Sequence, residues 1–189
     1  MPNYSQSDIK FIIGTDEFTS MYNNAEGRQD RAWLTVLWFT GARPSEILEL
    51  RKKDIIINPE SIQFVLSTKK LGFRKSDGFI IEKRTLVLKI SEKNRYVKNL
   101  CRYLEPFKDG ELIFSFSRRH GLNIIYRISM RAFGFKLCPY NFRHSRLTLL
   151  AEKGATIEEL KRFKGARGDK SVTNYLHARK VEYSVDIEL

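Results

Sequence analysis

Between Pro139 and Tyr175 the sequence starts and stops a helix three times, and this punctuation constrains the fold more than any other stretch. Pro139 suits a first helical position, where its missing N–H has no partner to lose. The helix it opens runs through Leu149 and Leu150 and is predicted to stop at Gly154, a natural left-handed cap. Tyr140 and Arg143 lie three apart on it and share a face. Thr156 with Glu159 forms a T-x-x-E capping box that opens a second helix, ending near Gly165. Asp169 is placed to cap a third, which carries Val172, Tyr175, Leu176 and Arg179. Each of the three places one polar group where a phosphate could be handled.

Upstream the pattern alternates between helices and a β region. Thr15 is positioned to cap a helix through Met21 and Tyr22, followed by a loop from Asn23 to Gly27. Asp30 is positioned to cap the next helix, in which Trp33, Leu34, Leu37 and Trp38 recur at helical spacing and are predicted to be buried core. Gly41 ends that helix and Pro44 restarts one, so Arg43 stands at a helix start, where free N–H groups favour an anion. Strands are predicted at Asp54 to Ile57, Ser61 to Ser67 and Phe79 to Ile90. The basic link from Thr68 to Gly78 reads as a mobile hairpin loop. Helices follow at Asn94 to Leu104 and Ile124 to Phe133, the latter basic on one side through Arg127 and Arg131. The fold class is therefore mainly α with a small three-stranded antiparallel β-sheet.

With 189 residues, 42% hydrophobic and 30% charged, the chain can bury a sizeable core and is not compositionally disordered. No run of about eighteen apolar residues suggests a membrane span, and the N-terminus lacks the pattern of a signal peptide. Cys101 and Cys138 sit in no metal or redox spacing, which fits a reduced, cytoplasmic setting. His120, His144 and His177 are too scattered for zinc. The net charge is +12, and it is concentrated: 32 basic and 14 acidic residues between positions 31 and 180 leave +18 there. Such a field points to a polyanionic partner, most often nucleic acid. A ribosomal or merely basic protein is the plainer reading of charge alone.

The segment from Pro139 to Tyr175 resembles the C-terminal motif of the tyrosine recombinases, or phage integrase family: H-x-L-R-H, a helix and Gly, then G-H, then a nucleophilic Tyr ten residues after that second Gly. The matching residues are Tyr140, Phe142, Arg143 and His144, then Gly154, then Gly165 and Ala166, then Tyr175. Thr40 to Leu50, TGARPSEILEL, is similar to the family's first motif, T-G-x-R-x-S-E-x-x-x-L. Two positions depart: Tyr140 stands where the family usually has His or Lys, and Ala166 where it has His or Trp. The resemblance covers residues 15–180, with 1–14 as an extension or linker remnant and 181–189 as a tail. It lacks the family's N-terminal core-binding domain, as an excised catalytic domain or a natural short form would. The departure at Tyr140 leans toward an archaeal, viral or plasmid integrase.

The resemblance implies the catalytic-domain fold of that family and cleavage of double-stranded DNA through a 3′-phosphotyrosyl bond, with no metal and no cofactor. Tyr175 would be the nucleophile, and Arg43 and Arg143 bidentate phosphate clamps. Lys69 would be the general acid. The hairpin loop is longer than the family norm, so Lys70 and Lys75 stay open as alternatives. Glu46 would hold an Arg or a backbone group in place, and His144 would support the site. A phenol at Tyr140 is a poor general base at neutral pH but can hydrogen-bond a phosphate or the nucleophile. Ala166 cannot donate a side-chain hydrogen bond, and the adjacent Arg167 is the candidate substitute. The implied function is site-specific recombination, for integration and excision of a mobile element (viral genome integration included) or for dimer resolution. The chain would be monomeric in isolation and tetrameric on DNA. Two rivals remain: a type IB topoisomerase using the same Arg-Lys-Arg-Tyr chemistry, and a catalytically weakened DNA-binding module.

Overall fold

The computed structural model describes residues 11–71, 79–166 and 168–176. The chain divides into two compact units, Met1–Arg146 and Leu147–Leu189, each taken by itself below. Helices α1 (Thr15–Asn23), α2 (Gly27–Thr40) and α3 (Pro44–Leu48) precede the strands β1 (Ile55–Asn58), β2 (Ser61–Leu71) and β3 (Phe79–Lys89). Helices α4 (Arg95–Leu104), α5 (Arg118–Phe133), α6 (Pro139–Glu152), α7 (Ile157–Lys164) and α8 (Thr173–Leu176) follow. The architecture is thus mainly helical with one three-stranded sheet, as the sequence pattern predicts. Among the described residues no helix is long and apolar enough to cross a membrane.

In the first unit α2 is the centre, with every residue from Ala32 to Thr40 buried. A helix apolar all round has to sit inside rather than on a surface. Trp33 meets Phe114 and Phe116 edge-on, each at 5.1 Å, and its indole Nε1 donates to the Gly121 carbonyl at 3.2 Å. Phe18 of α1 stacks on Trp38 at 5.0 Å. The sheet runs β1-β2-β3, antiparallel throughout. Its period-2 alternation turns Ile62, Phe64 and Leu66 inward, and Phe64 reaches Phe39 of α2.

Several boundaries differ from expectation for identifiable reasons. Gly14, not Thr15, flanks α1, and its N–H donates to Glu17 Oε2 at 2.9 Å. Helix α2 begins at Gly27, ahead of Asp30, because Asp30 pairs with Arg127 of α5 instead of capping. Arg131 pairs likewise with Glu26, so this basic side of α5 faces acids at the start of α2. Strand β2 continues through Thr68, Lys69 and Lys70, which the sequence reading assigned to the loop. The loop's remaining residues, Gly72 to Gly78, lie outside the described residues. Helix α5 starts six residues before Ile124, where Ser117 Oγ accepts the His120 N–H at 3.1 Å. The Gly121 in this added turn is required by packing: a Cβ there would lie 2.8 Å from Trp33 Cζ2.

In the second unit Leu147, Ala151, Leu160 and Val172 form the core, with Tyr175 and Leu176 packed against it. Helices α6 and α7 end alike. Gly154 takes φ +88 and Gly165 φ +63, and the Ala after each donates its N–H five residues back, Ala155 to Leu150 O and Ala166 to Lys161 O, both at 3.0 Å. These paired bonds satisfy carbonyls that a helix end leaves open. The predicted capping box is present: Thr156 Oγ1 accepts the Glu159 N–H at 3.2 Å, and Glu159 Oε2 accepts the Thr156 N–H at 2.8 Å. Asp169 does not cap a helix. It opens a 3-10 turn, Asp169–Ser171, and its carboxylate meets Lys161 Nζ at 2.8 Å.

Gly121→Ala is expected to lower stability by about 1–3 kcal/mol through overpacking against Trp33. A urea unfolding curve should show a lower midpoint with an unchanged slope, while Gly110→Ala, with nothing within 4 Å of its added Cβ, should not move the midpoint.

Candidate active site

The polar centre of the first unit is the carboxylate of Glu46, only 3% exposed. Sequence order explains its place. Gly41 at φ +53 ends α2, Pro44 opens α3, and Glu46 falls at the third helical position, from which it accepts the Arg43 N–H at 2.8 Å. This is the N-terminal half of a capping box with its carboxylate turned inward. Four further donors converge on it. Arg84 of β3 forks onto it, Nη1 to Oε1 at 2.8 Å and Nη2 to Oε2 at 2.9 Å. Thr68 of β2 donates its hydroxyl to Oε1 and accepts Arg84 Nη1 at 2.6 Å. Arg43 Nη1 reaches Oε1 at 3.1 Å.

Burial alone would raise the carboxyl's pKa. The Arg84 hydrogen bonds and charge, the Thr68 hydroxyl and the Arg43 N–H outweigh it and bring the group from 4.5 to about 2.

Arg143, 2% exposed, belongs to the same neighbourhood. It lies on α6, whose start is fixed by Asn141 Oδ1 accepting the Cys138 N–H at 2.9 Å and by Ser145 Oγ accepting the Ile13 N–H at 2.8 Å. Arg143 Nη1 donates to the Gly41 carbonyl at 2.9 Å, which ties α6 to the turn that also carries Arg43. Burial lowers its pKa to about 10, assisted by the positive charges of Arg43 and Arg84 and opposed by Glu46 and Tyr140. Three guanidinium groups thus gather near one carboxylate, two of them bonded to it.

The other sequence candidates fall as follows. Tyr140, one turn before Arg143, is 57% exposed. His144 is half-buried on α6. Lys69 lies in β2 paired with Ile81, and Lys70 with Ile80. Lys75 and Arg167 lie outside the described residues. In the second unit Tyr175 sits half-buried on α8, with Lys164 Nζ 5.2 Å from its ring centroid. Ala166, half-buried, commits its N–H to the end of α7. So Arg43, Glu46 and Arg143 converge in one unit, and Tyr175 has its own surroundings in the other.

Sequence reasoning missed Arg84 and Thr68. Their signal was a polar interruption of an inward-facing alternation: Arg84 is opposite Leu66 and two residues from buried Leu86. Thr68 continues the series Ile62, Phe64, Leu66.

The profile of the phage integrase family matches residues 12–182, most of the chain. The chain belongs to the phage integrase family, the tyrosine recombinases. Solved structures agree in fold. A XerH site-specific recombinase bound to its difH substrate in a pre-cleavage complex superposes with TM-score 0.67 at 19% identity, covering 88% of this chain and 50% of that one. The Tn1549 transposon integrase in complex with circular intermediate DNA gives 0.58 at 19% identity, covering 97% and 69%. The catalytic domain of bacteriophage HP1 integrase gives 0.54 at 18% identity, covering 89% and 88%. This phage integrase family member thus spans half the length of the XerH chain and nearly all of the HP1 catalytic domain. Among curated protein sequences none matches.

The Glu46 pKa supplies a pH test. Ionised Glu46 stabilises the fold above its ordinary 4.5, and that stabilisation is lost as pH falls through about 2. The depression corresponds to roughly 3 kcal/mol. Urea unfolding between pH 5 and about 2 should show a marked loss of stability in the native chain and a flatter profile in Glu46→Gln. Equal slopes would remove Glu46 as the cause.

Proposed function

We propose that this chain is the DNA-cleaving part of a site-specific recombinase, cutting and rejoining double-stranded DNA through a 3′-phosphotyrosyl bond at Tyr175. The observation that carries the reading is the gathering of Arg43, Arg84 and buried Arg143 near Glu46, with Arg84 forked onto that carboxylate and Arg43 touching it once. Desolvated like charges are costly to hold together, and a phosphate relieves that cost. The net charge of +12 and the DNA or substrate complexes of the Tn1549 and XerH proteins support the choice of DNA.

In this scheme Arg43 and Arg143 hold the non-bridging phosphate oxygens, and Glu46 fixes the backbone and one guanidinium nitrogen of Arg43. The Tyr175 phenol oxygen attacks phosphorus. As its bond to phosphorus forms, the bond from phosphorus to the 5′ oxygen breaks, and that oxygen takes its electron pair and a proton from Lys69, or from Lys70 or Lys75. The phenolic proton passes to water or to a hydrogen-bond partner among Tyr140 and His144. The covalent bond keeps the energy of the phosphodiester, so a 5′-hydroxyl from another strand reseals the backbone. No step calls on a metal, because guanidinium groups supply the charge. Four protomers on two duplexes would complete strand exchange, for integration and excision of a mobile element or for dimer resolution.

Nicked duplex libraries test this directly. A denaturant-resistant adduct mapped by mass spectrometry to Tyr175, lost in Tyr175→Phe while DNA binding persists, is the expected result. Binding without an adduct in the native chain would instead favour a DNA-binding module. Relaxation of supercoils with no sequence requirement would favour the topoisomerase. Ala166 offers no side-chain donor and its N–H is committed, so Ala166→His should accelerate single-turnover cleavage, by up to about 10²-fold. An unchanged rate would mean that the donor is not missing.

A further inference from the structure

We infer that Arg84 is a positioning residue of this site: by occupying Glu46 it leaves the charge of Arg43 available to the phosphate. The inference rests on the proposed role of Arg43 as a phosphate ligand.

Two guanidinium groups compete for one buried carboxylate, and the contacts rank them. Arg84, 12% exposed in its side chain, takes both oxygens in a fork of 2.8 and 2.9 Å. Arg43, 39% exposed, makes one side-chain contact of 3.1 Å to an oxygen that also accepts from Thr68 and Arg84. A fork to a carboxylate is the stronger and more directional arrangement. Glu46 thus holds Arg43 chiefly through its backbone N–H, which fixes the chain without cancelling the guanidinium charge. Remove Arg84, and a buried carboxylate is left with Arg43 as its nearest cation. Arg43 would then be drawn into the fork and away from the phosphate.

The placement of Arg84 supports a role of this kind. It lies across from Leu66 on the core-facing side of the sheet, where an apolar residue would pack at no desolvation cost. Its Nε is buried with no hydrogen-bond partner among the described residues. A buried ion pair with an unsatisfied donor is a poor device for stability alone. Thr68 sets the fork's angle by bridging Arg84 and Glu46.

The experiment compares the full chain with Arg84→Met, Arg84→Lys and the double variant Glu46→Gln/Arg84→Met. The probe is a nicked duplex that the native protein has selected and attached to covalently. Arg84→Met is expected to slow single-turnover cleavage about 10²-fold while changing the DNA dissociation constant less than about threefold. Arg84→Lys, which keeps the charge without the fork, should fall between it and the native chain. The double variant should recover to within about tenfold of native, because removing the carboxylate releases Arg43. A scaffold role alone would make the double variant no faster than Arg84→Met and would lower cleavage and melting temperature together. Cleavage by folded Arg84→Met within about threefold of native, or a double variant as slow as the single, overturns the inference.

A second readout needs no DNA and separates this inference from the functional reading. Phenylglyoxal modifies unengaged guanidinium groups, and peptide mass spectrometry resolves Arg43 from the rest. Arg43 should be modified at least about threefold more slowly in Arg84→Met, or in Arg84→Lys should the Met variant not fold, than in the native chain. Equal rates overturn the switch of partners even if Tyr175 forms the adduct. Slower modification with no native adduct upholds the pairing and rejects the cleavage chemistry.

Discussion

A single carboxylate with five donors organises the first unit. Glu46 joins α3 to β2 through Thr68 and to β3 through Arg84, and it holds the Arg43 N–H at the turn after α2. Arg143 then fastens α6 to the Gly41 carbonyl in that same turn. Four separate chain segments meet around one acidic group, so their mutual positions are set by hydrogen-bond geometry and not by apolar packing alone. Apolar contacts tolerate sliding, whereas a forked ion pair does not.

The second unit is built on a different principle. Its small core is closed by Val172, and its connections are local: a capping box, two Gly-Ala helix endings, and the Lys161 pairs to Glu158 and Asp169. In the proposed chemistry, electrostatic preparation of the phosphate and presentation of the nucleophile are thus assigned to separately stabilised parts of the chain. The departure at Ala166 falls in the second part, where the backbone has already absorbed the residue's one remaining donor.

Much of this was legible in the sequence where backbone chemistry is local. Gly41, Pro44, Gly154, the Thr156–Glu159 box and Gly165 each constrain φ or satisfy a nearby N–H, and each marks the boundary it was expected to mark. Thr15, Asp30 and Asp169 carry the same kind of signal but failed as caps. Glu17 reached back to Gly14, Asp30 was taken by Arg127, and Asp169 by Lys161. Local propensity cannot anticipate a competing partner from elsewhere in the chain. The same limit hid Arg84: its strand was recognised, but the meaning of a charge on the inward face appears only once Glu46, 38 residues earlier, is beside it.

Within the described residues the helix bearing Tyr175 runs from Thr173 to Leu176. Its start is anchored by buried Val172, by Tyr175 and Leu176 packed against the same core, and by the Lys161–Asp169 pair at the preceding turn. Of these holds, the partly exposed ion pair is the one that added salt weakens. The hold on the tyrosine's segment is thus part apolar and part ionic, and only the ionic part responds to ionic strength.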